Sequence, residues 1–252
     1  MTAEELRTFE DEYSYLYFSK NKYKENSKTS VKKEYAEKKE TILGKSVRLG
    51  TSESKVEQIA YNSIISEESS ETACAEITRE HIAWKAGRLK IDENGEYKWD
   101  GKNGMGNTIV NIDKYLKEIN NQRSVICCWL AQGDVQSAYQ KLLDLNVQCG
   151  VKQFGTVYII TLIYFLSKGK YPIYDKFAHK AIMAIDSNRN PMDITVASPP
   201  DKSSVAKVIN MYTEYYKKIE EIFGSYRLTR KQDQALWVYG HSKVKYPDCV
   251  TT

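Results

Sequence analysis

The sequence predicts a mainly helical fold. Apolar residues recur at helical spacing in most segments beyond residue 70, no regular repeat runs along the chain, and strand-like and helix-like segments do not alternate. With 252 residues the chain can bury a substantial core, and one domain of two lobes suits that length. Composition sets apart an N-terminal segment, 1–70, basic and then acidic, that can pack on a helical domain over 71–252.

In chain order, Tyr13, Tyr15 and Tyr17 alternate within a charged context, so a short strand or hairpin is expected near the N-terminus. From Ser70 to Arg88 the spacing of Ala73, Ile77, His81 and Trp84 predicts one face of a helix, stopped by Gly87. "IDENGEYKWDGKNGMG" then carries four glycines and an Asn-Gly pair, the chemistry of a hairpin or loop. Helical spacing returns in "TIVNIDKYLKEI", "SVICCWLA" and "DVQSAYQKLLDLN". A Gly-flanked turn leads into the apolar run Val157 to Leu166, too short to cross a bilayer and readable as a buried helix or a buried strand.

Pro172 is the first proline in the chain, and Phe177, Ala178, Ala181, Ile182 and Ile185 follow it at helical spacing, which puts Asp175 at an N-cap. "NRNPMDITVASPPDKSS" reads as a loop with three of the five prolines. Val205, Val208, Ile209, Tyr212, Tyr216, Ile219 and Phe223 form an apolar stripe closed by Gly224. Finally, Thr229 and Gln232 form a capping box for a helix ending at Gly240.

The net charge of +4 selects no partner, but its distribution is uneven: ten Lys or Arg against four Glu lie between Lys20 and Arg48, and "SEESSETACAE" at 66–76 is acidic. That asymmetry suits a surface meeting phosphates on one side, and equally a solvated lysine-rich face. No charge-free apolar run reaches about 18 residues, and the start lacks the order of a secretory signal, so a soluble, cytoplasmic protein with no membrane partner is expected. Five cysteines fit neither a disulfide framework nor a zinc pattern and read as reduced, mostly buried thiols.

"HIAWKAGR", "YPIYDKFAHKAI" and "DQALWVYGH", in this order over roughly 75–242, resemble the helix-hairpin-helix DNA glycosylase superfamily, specifically bacterial proteins of the 8-oxoguanine DNA glycosylase fold. The resemblance implies a two-lobed helical fold with its hairpin at "QCGVKQFGT", 148–156. Backbone N–H groups there would face a DNA phosphate at a helix N-terminus. Lys152, Gln153, Gly155, Thr156, Lys168 and Lys170 become phosphate-contact candidates. Of the family's usual hairpin pattern this chain keeps Phe154-Gly155 and lacks the Pro-Gly step. By analogy the hairpin carbonyls hold a monovalent cation; no other cofactor and no metal site is implied.

Bifunctional relatives place a lysine nucleophile two residues past the last hairpin glycine, where this chain has Val157. The family's catalytic acid falls 18 residues further on, at Asp175. The implied enzyme is a monofunctional glycosylase, monomeric, acting on double-stranded DNA in a bacterial nucleoid, in base-excision repair or in defence against phage with modified DNA. One carboxylate suffices, because it stabilises the positive charge that builds on the sugar while it orients water. Flipping the base requires an apolar or aromatic pocket. Trp237 and Tyr239 lie near the family's stacking aromatic, with Tyr174, Trp84 and Trp129 as further candidates.

Each of these residues has a plainer reading. Asp is a preferred helix cap, aromatic side chains dominate cores, and loop lysines are commonly solvated. His81 and His179 read as structural histidines, and His241 suits a helix end in any fold. Two alternatives to the enzyme therefore remain: a catalytically inactive DNA-binding protein of the same fold, and a helical interaction protein whose motifs reflect core packing.

Overall fold

The structure, a computed structural model, describes residues 3–17, 74–92, 94 and 96–243. The basic run from Lys20 to Arg48 and the acidic stretch up to residue 73 lie outside the described residues. The described residues are mainly helical: α1 (Ala3–Tyr17), α2 (Arg79–Lys85), α3 (Ile112–Asn121), α4 (Arg123–Ala131), α5 (Val135–Gln148), α6 (Thr156–Leu166), α7 (Lys176–Asp186), α8 (Val205–Phe223) and α9 (Arg230–Gly240). One antiparallel hairpin joins β1 (Lys90–Ile91) to β2 (Tyr97–Lys98), pairing Lys90 with Lys98 and Ile91 with Tyr97. Among the described residues no helix is long and apolar enough to cross a membrane. They fall into two compact units, one of 3–17, 174–198 and 214–243, the other of 74–173 and 199–213.

In the first unit α1 replaces the strand expected from Tyr13, Tyr15 and Tyr17. Phe9, Tyr13 and Tyr17 stand four apart, on one helical face, and that period wins over the two-residue alternation because it has something to pack on. Phe9 and Tyr13 are fully buried, with ring centroids 5.7 and 5.1 Å from that of Tyr239 in α9. Gln232 Nε2 donates to Glu10 Oε1 at 2.7 Å, and Lys231 pairs with Asp11. The Arg230 guanidinium is buried against Asp233, and its Nη2 donates to the Tyr17 hydroxyl at 3.0 Å.

The expected capping box starts α9: Thr229 N–H donates to Gln232 Oε1 at 2.9 Å, and Gln232 N–H to Thr229 Oγ1 at 3.1 Å. Gly240 at its other end has no room for a side chain, since a Cβ there would lie 1.9 Å from the Phe177 carbonyl oxygen. This contact brings α9 to backbone distance from the first turn of α7.

In the second unit α2 begins at Arg79, later than the predicted helix from Ser70. Ile77 N–H donates to Asn120 Oδ1 at 3.0 Å and Ile77 O accepts from Asn120 Nδ2 at 2.8 Å, so its backbone is spent on α3 and unavailable to a helix. His81 then closes the first turn, its Nδ1 accepting from Thr78 N–H at 3.0 Å. Gly87 ends this element at φ +64°, where glycine avoids the steric cost of a Cβ. The glycine-rich segment forms the expected hairpin, its turn held by Asp92 Oδ1, which accepts from the Asn94 and Glu96 N–H groups at 2.9 Å.

Cys74 and Cys127 are joined in a disulfide, which corrects the expectation of reduced thiols. The fold brings their Cα atoms to 5.9 Å across 53 residues of sequence, inside the bonding range, and no sequence spacing announces that. Among the described residues the free thiols are Cys149, buried, and Cys128, exposed.

The segment Val157–Leu166, open between helix and strand, is the helix α6; Ile159–Leu166 are all buried, as an all-round apolar helix requires. In α3 the apolar face Ile112, Tyr115, Leu116 and Ile119 is buried, and Tyr115 donates to Leu142 O in α5 at 2.7 Å. In α8 the buried stripe is Val208, Tyr212, Tyr215 and Ile219, so Tyr215 takes the inner place expected of Tyr216.

Candidate functional site

Asp175 caps α7. Its extended backbone lets Oδ1 accept from Phe177 N–H at 2.9 Å, satisfying one of the helix's unpaired first-turn donors. The residue is half-buried, at the positive end of an 11-residue helix. Beside it runs a ladder of rings. Phe177 and His241 are stacked with centroids 3.5 Å apart, Trp237 lies 4.1 Å beyond His241, and Tyr17 meets Trp237 edge-on at 5.5 Å. Phe177 is 38 % exposed.

His241 Nδ1 lies 2.8 Å from Trp237 O. A carbonyl can only accept, so the proton of the neutral ring is on Nδ1 and Nε2 carries the lone pair. Burial lowers its pKa, opposed by the Trp237 hydrogen bond and the charge of Asp175, while Lys180 lowers it further. Tyr174, the residue before Asp175, is fully buried: its hydroxyl is 3.1 Å from His179 Nδ1, and its ring meets Tyr215 at 5.2 Å. Burial, then the Asp175 charge, pushes its pKa up to about 12.

In the other unit, α5 and α6 follow one another, joined by the turn 149–155. Gly150 (φ +64°) and Gln153 (φ +60°) turn the chain in the left-handed region. Asn111 Nδ2 donates to Cys149 O at 3.0 Å, Lys152 bridges Val110, and Asn103 Nδ2 donates to Gln153 O at 3.2 Å. Gly155 is an exposed N-cap with no side chain to satisfy the helix start, and the Tyr158 N–H turns back to Gly155 O at 3.0 Å. Thr156 is turned inward, its Oγ1 donating to Pro200 O at 2.6 Å. Nearby Lys202 Nζ donates to the buried Asn146 Oδ1 at 2.6 Å. Val157, at the position of the absent lysine, is half-buried.

The remaining candidates are placed as follows. Lys152 and Gln153 are exposed in the turn between α5 and α6, whereas Lys168 is half-buried at φ +50° in the link after α6. Lys170 Nζ donates to Leu130 O at 3.3 Å and Ala131 O at 3.1 Å, capping the C-terminal end of α4. Trp84 packs edge-on against Phe165 at 5.6 Å, and Trp129 is half-buried on α4. Tyr239 is fully enclosed with Phe9 and Tyr13. Trp237 alone among the aromatic candidates is placed beside Asp175's neighbours Phe177 and His241.

No family model, curated protein or solved structure matches the chain.

Two participants were missed from sequence. Phe177 reads as one more apolar helical residue and His241 as a helix-end residue, yet the fold stacks them. The signal that could have joined them is Gly240, readable as a plain helix stop but here the point of a close backbone approach.

Proposed function

We propose that the chain is a monofunctional DNA glycosylase, which flips a damaged or modified base out of duplex DNA and hydrolyses its N-glycosidic bond to leave an abasic site. What supports this reading most is the position of Asp175: a half-buried aspartate at a helix N-terminus, next in chain order after two helices joined by a tight turn and a short link. An ionised carboxylate there stabilises the positive charge on the departing sugar and orients the attacking water. The uncapped start of α6 offers backbone donors for a phosphate, and exposed Lys152 adds positive charge. A monovalent cation at the hairpin carbonyls would belong to the same contact. With Val157 in place of a lysine, no Schiff base forms and water is the nucleophile.

The experiment is release of free base, and appearance of alkali-labile sites, from duplexes carrying oxidised or otherwise modified bases and from phage DNA with modified bases. Product on at least one substrate supports the reading; none on any substrate sinks it. One observation favours a second reading, binding without catalysis: Tyr174 and Tyr239 are 0 % and 1 % exposed, so neither has a face open to a flipped base. In that case duplex is bound, with affinity falling steeply as salt rises, and no base is released.

A further inference from the structure

A separate cleft in the second unit has no part in the reading above. It encloses about 310 Å³ and is lined by Arg79, Glu80, Leu89, Tyr97, Lys98 and Trp99. Its floor is built. Trp99 packs against the Ala83 and Leu89 cluster, and its Nε1 donates to Lys102 O at 2.9 Å, which fixes the plane of the indole. The Arg79 guanidinium lies over that ring, 5.5 Å from the centroid, while the Tyr97 ring on β2 is 38 % exposed. Two flat aromatic surfaces, two cations and one carboxylate thus line one opening.

We propose that this cleft binds a single nucleotide. The base stacks on Tyr97 and the Arg79–Trp99 pair, Glu80 accepts from an amino group on the base edge, and Arg79 and Lys98 hold the phosphate. The volume lies at the small end of ligand sites and fits one base with its sugar and phosphate. Both cations stand exposed and are engaged, Arg79 with the exposed Asp113 at 3.2 Å and Lys98 at 2.8 Å with Asp92, whose side chain is 13 % exposed. The exposed Arg79–Asp113 pair holds little net free energy, and a dianionic phosphate replaces Asp92 as the partner of Lys98. Asp92 keeps its two backbone N–H donors when Lys98 turns away, and Asp113 is open to water.

The ligand is either a free nucleotide or one unit of a strand, and calorimetric titration separates them. Adenosine 5′-monophosphate, adenosine, inorganic phosphate and a short single-stranded deoxyadenosine oligomer are each titrated into the full chain. Saturable binding of the monophosphate or the oligomer, weakened at least about tenfold by Tyr97→Ala and by Arg79→Gln, is the expected result. Tighter binding of the oligomer assigns the strand, and tighter binding of the monophosphate the free nucleotide. Lys98→Met, at an exposed position, gives a third variant of unaltered packing. No binding of either ligand, binding unaffected by all three substitutions, or phosphate alone binding as well as the monophosphate overturns the proposal. None of these outcomes depends on base release by Asp175.

Discussion

The imidazole of His241 lies almost flat on the ring of Phe177, with centroids 3.5 Å apart and planes 23° apart. Two residues so distant in sequence meet because Gly240, the last residue of α9, has its Cα against the Phe177 carbonyl. The stack, the cap at Asp175 and the absence of a Cβ at 240 are therefore one construction.

Substituting Gly240 by Ala should break it. The added methyl would sit 1.9 Å from a backbone oxygen, which cannot rotate away as a side chain would. Overpacking of this kind costs roughly 3 kcal/mol. Urea denaturation should show a clear fall in midpoint. An unchanged midpoint would mean that α7 and α9 are further apart than described.

Acid should weaken the second unit through His81. Burial takes its pKa from 6.5 down to about 4, and its Nδ1 must stay unprotonated to accept from Thr78 N–H. Because the folded value is the lower one, the unfolded chain binds the proton first. The stabilisation is complete above 6.5 and is lost as pH falls from there towards about 4. The linkage is worth up to about 3 kcal/mol. His179, lowered to about 4 by burial and then by Lys218, adds in the same direction in the first unit. Thermal unfolding compared at about pH 7 and about pH 5 tests this: His81→Gln, which can still accept from Thr78, should lose less melting temperature on acidification than the parent chain.

How legible each of these features is depends on the range of the interaction that makes it. The Thr229–Gln232 box and the Asp175 cap are settled within a few residues, and both are where the sequence places them. The start of α2 is not, because Ile77 is held extended by Asn120, 43 residues away. Alternating tyrosines misread α1 because the partner that selects the Phe9–Tyr13 face, Tyr239, lies at the other end of the chain. Within the candidate site Asp175 was legible through its cap. The ring ladder around it was not, since stacking of Phe177, His241 and Trp237 leaves no local pattern.

Reduction should destabilise the chain. The Cys74–Cys127 bond closes a loop of 53 residues, worth about 4 kcal/mol if its whole effect is to restrict the unfolded state. Peptide mapping of alkylated protein with and without reductant should find Cys74 and Cys127 protected until reduction, and reductant should lower the melting temperature. A chain that is fully alkylated before reduction would rule the bridge out.

Lys202→Met should loosen the loop around Pro200 and Lys202 where it is tied to α5 and α6. The Lys202 ammonium donates to the buried Asn146 Oδ1 at 2.6 Å, so removal of the lysine takes the donor from a buried amide oxygen. A loss of about 1–3 kcal/mol is expected. The double change with Asn146→Leu should recover part of it, measured as a double-mutant cycle in denaturant.

Asp175→Asn addresses the central claim most directly, because it separates the two roles of that side chain. Asparagine is as good an N-cap as aspartate, so the hydrogen bond to Phe177 N–H and the melting temperature should survive. What disappears is the ionised carboxylate. On a substrate from which the parent chain releases base, the variant should bind duplex with similar affinity and release base at least about 100-fold more slowly. Base release by the variant at the parent rate would contradict the account and leave Asp175 as a helix cap alone.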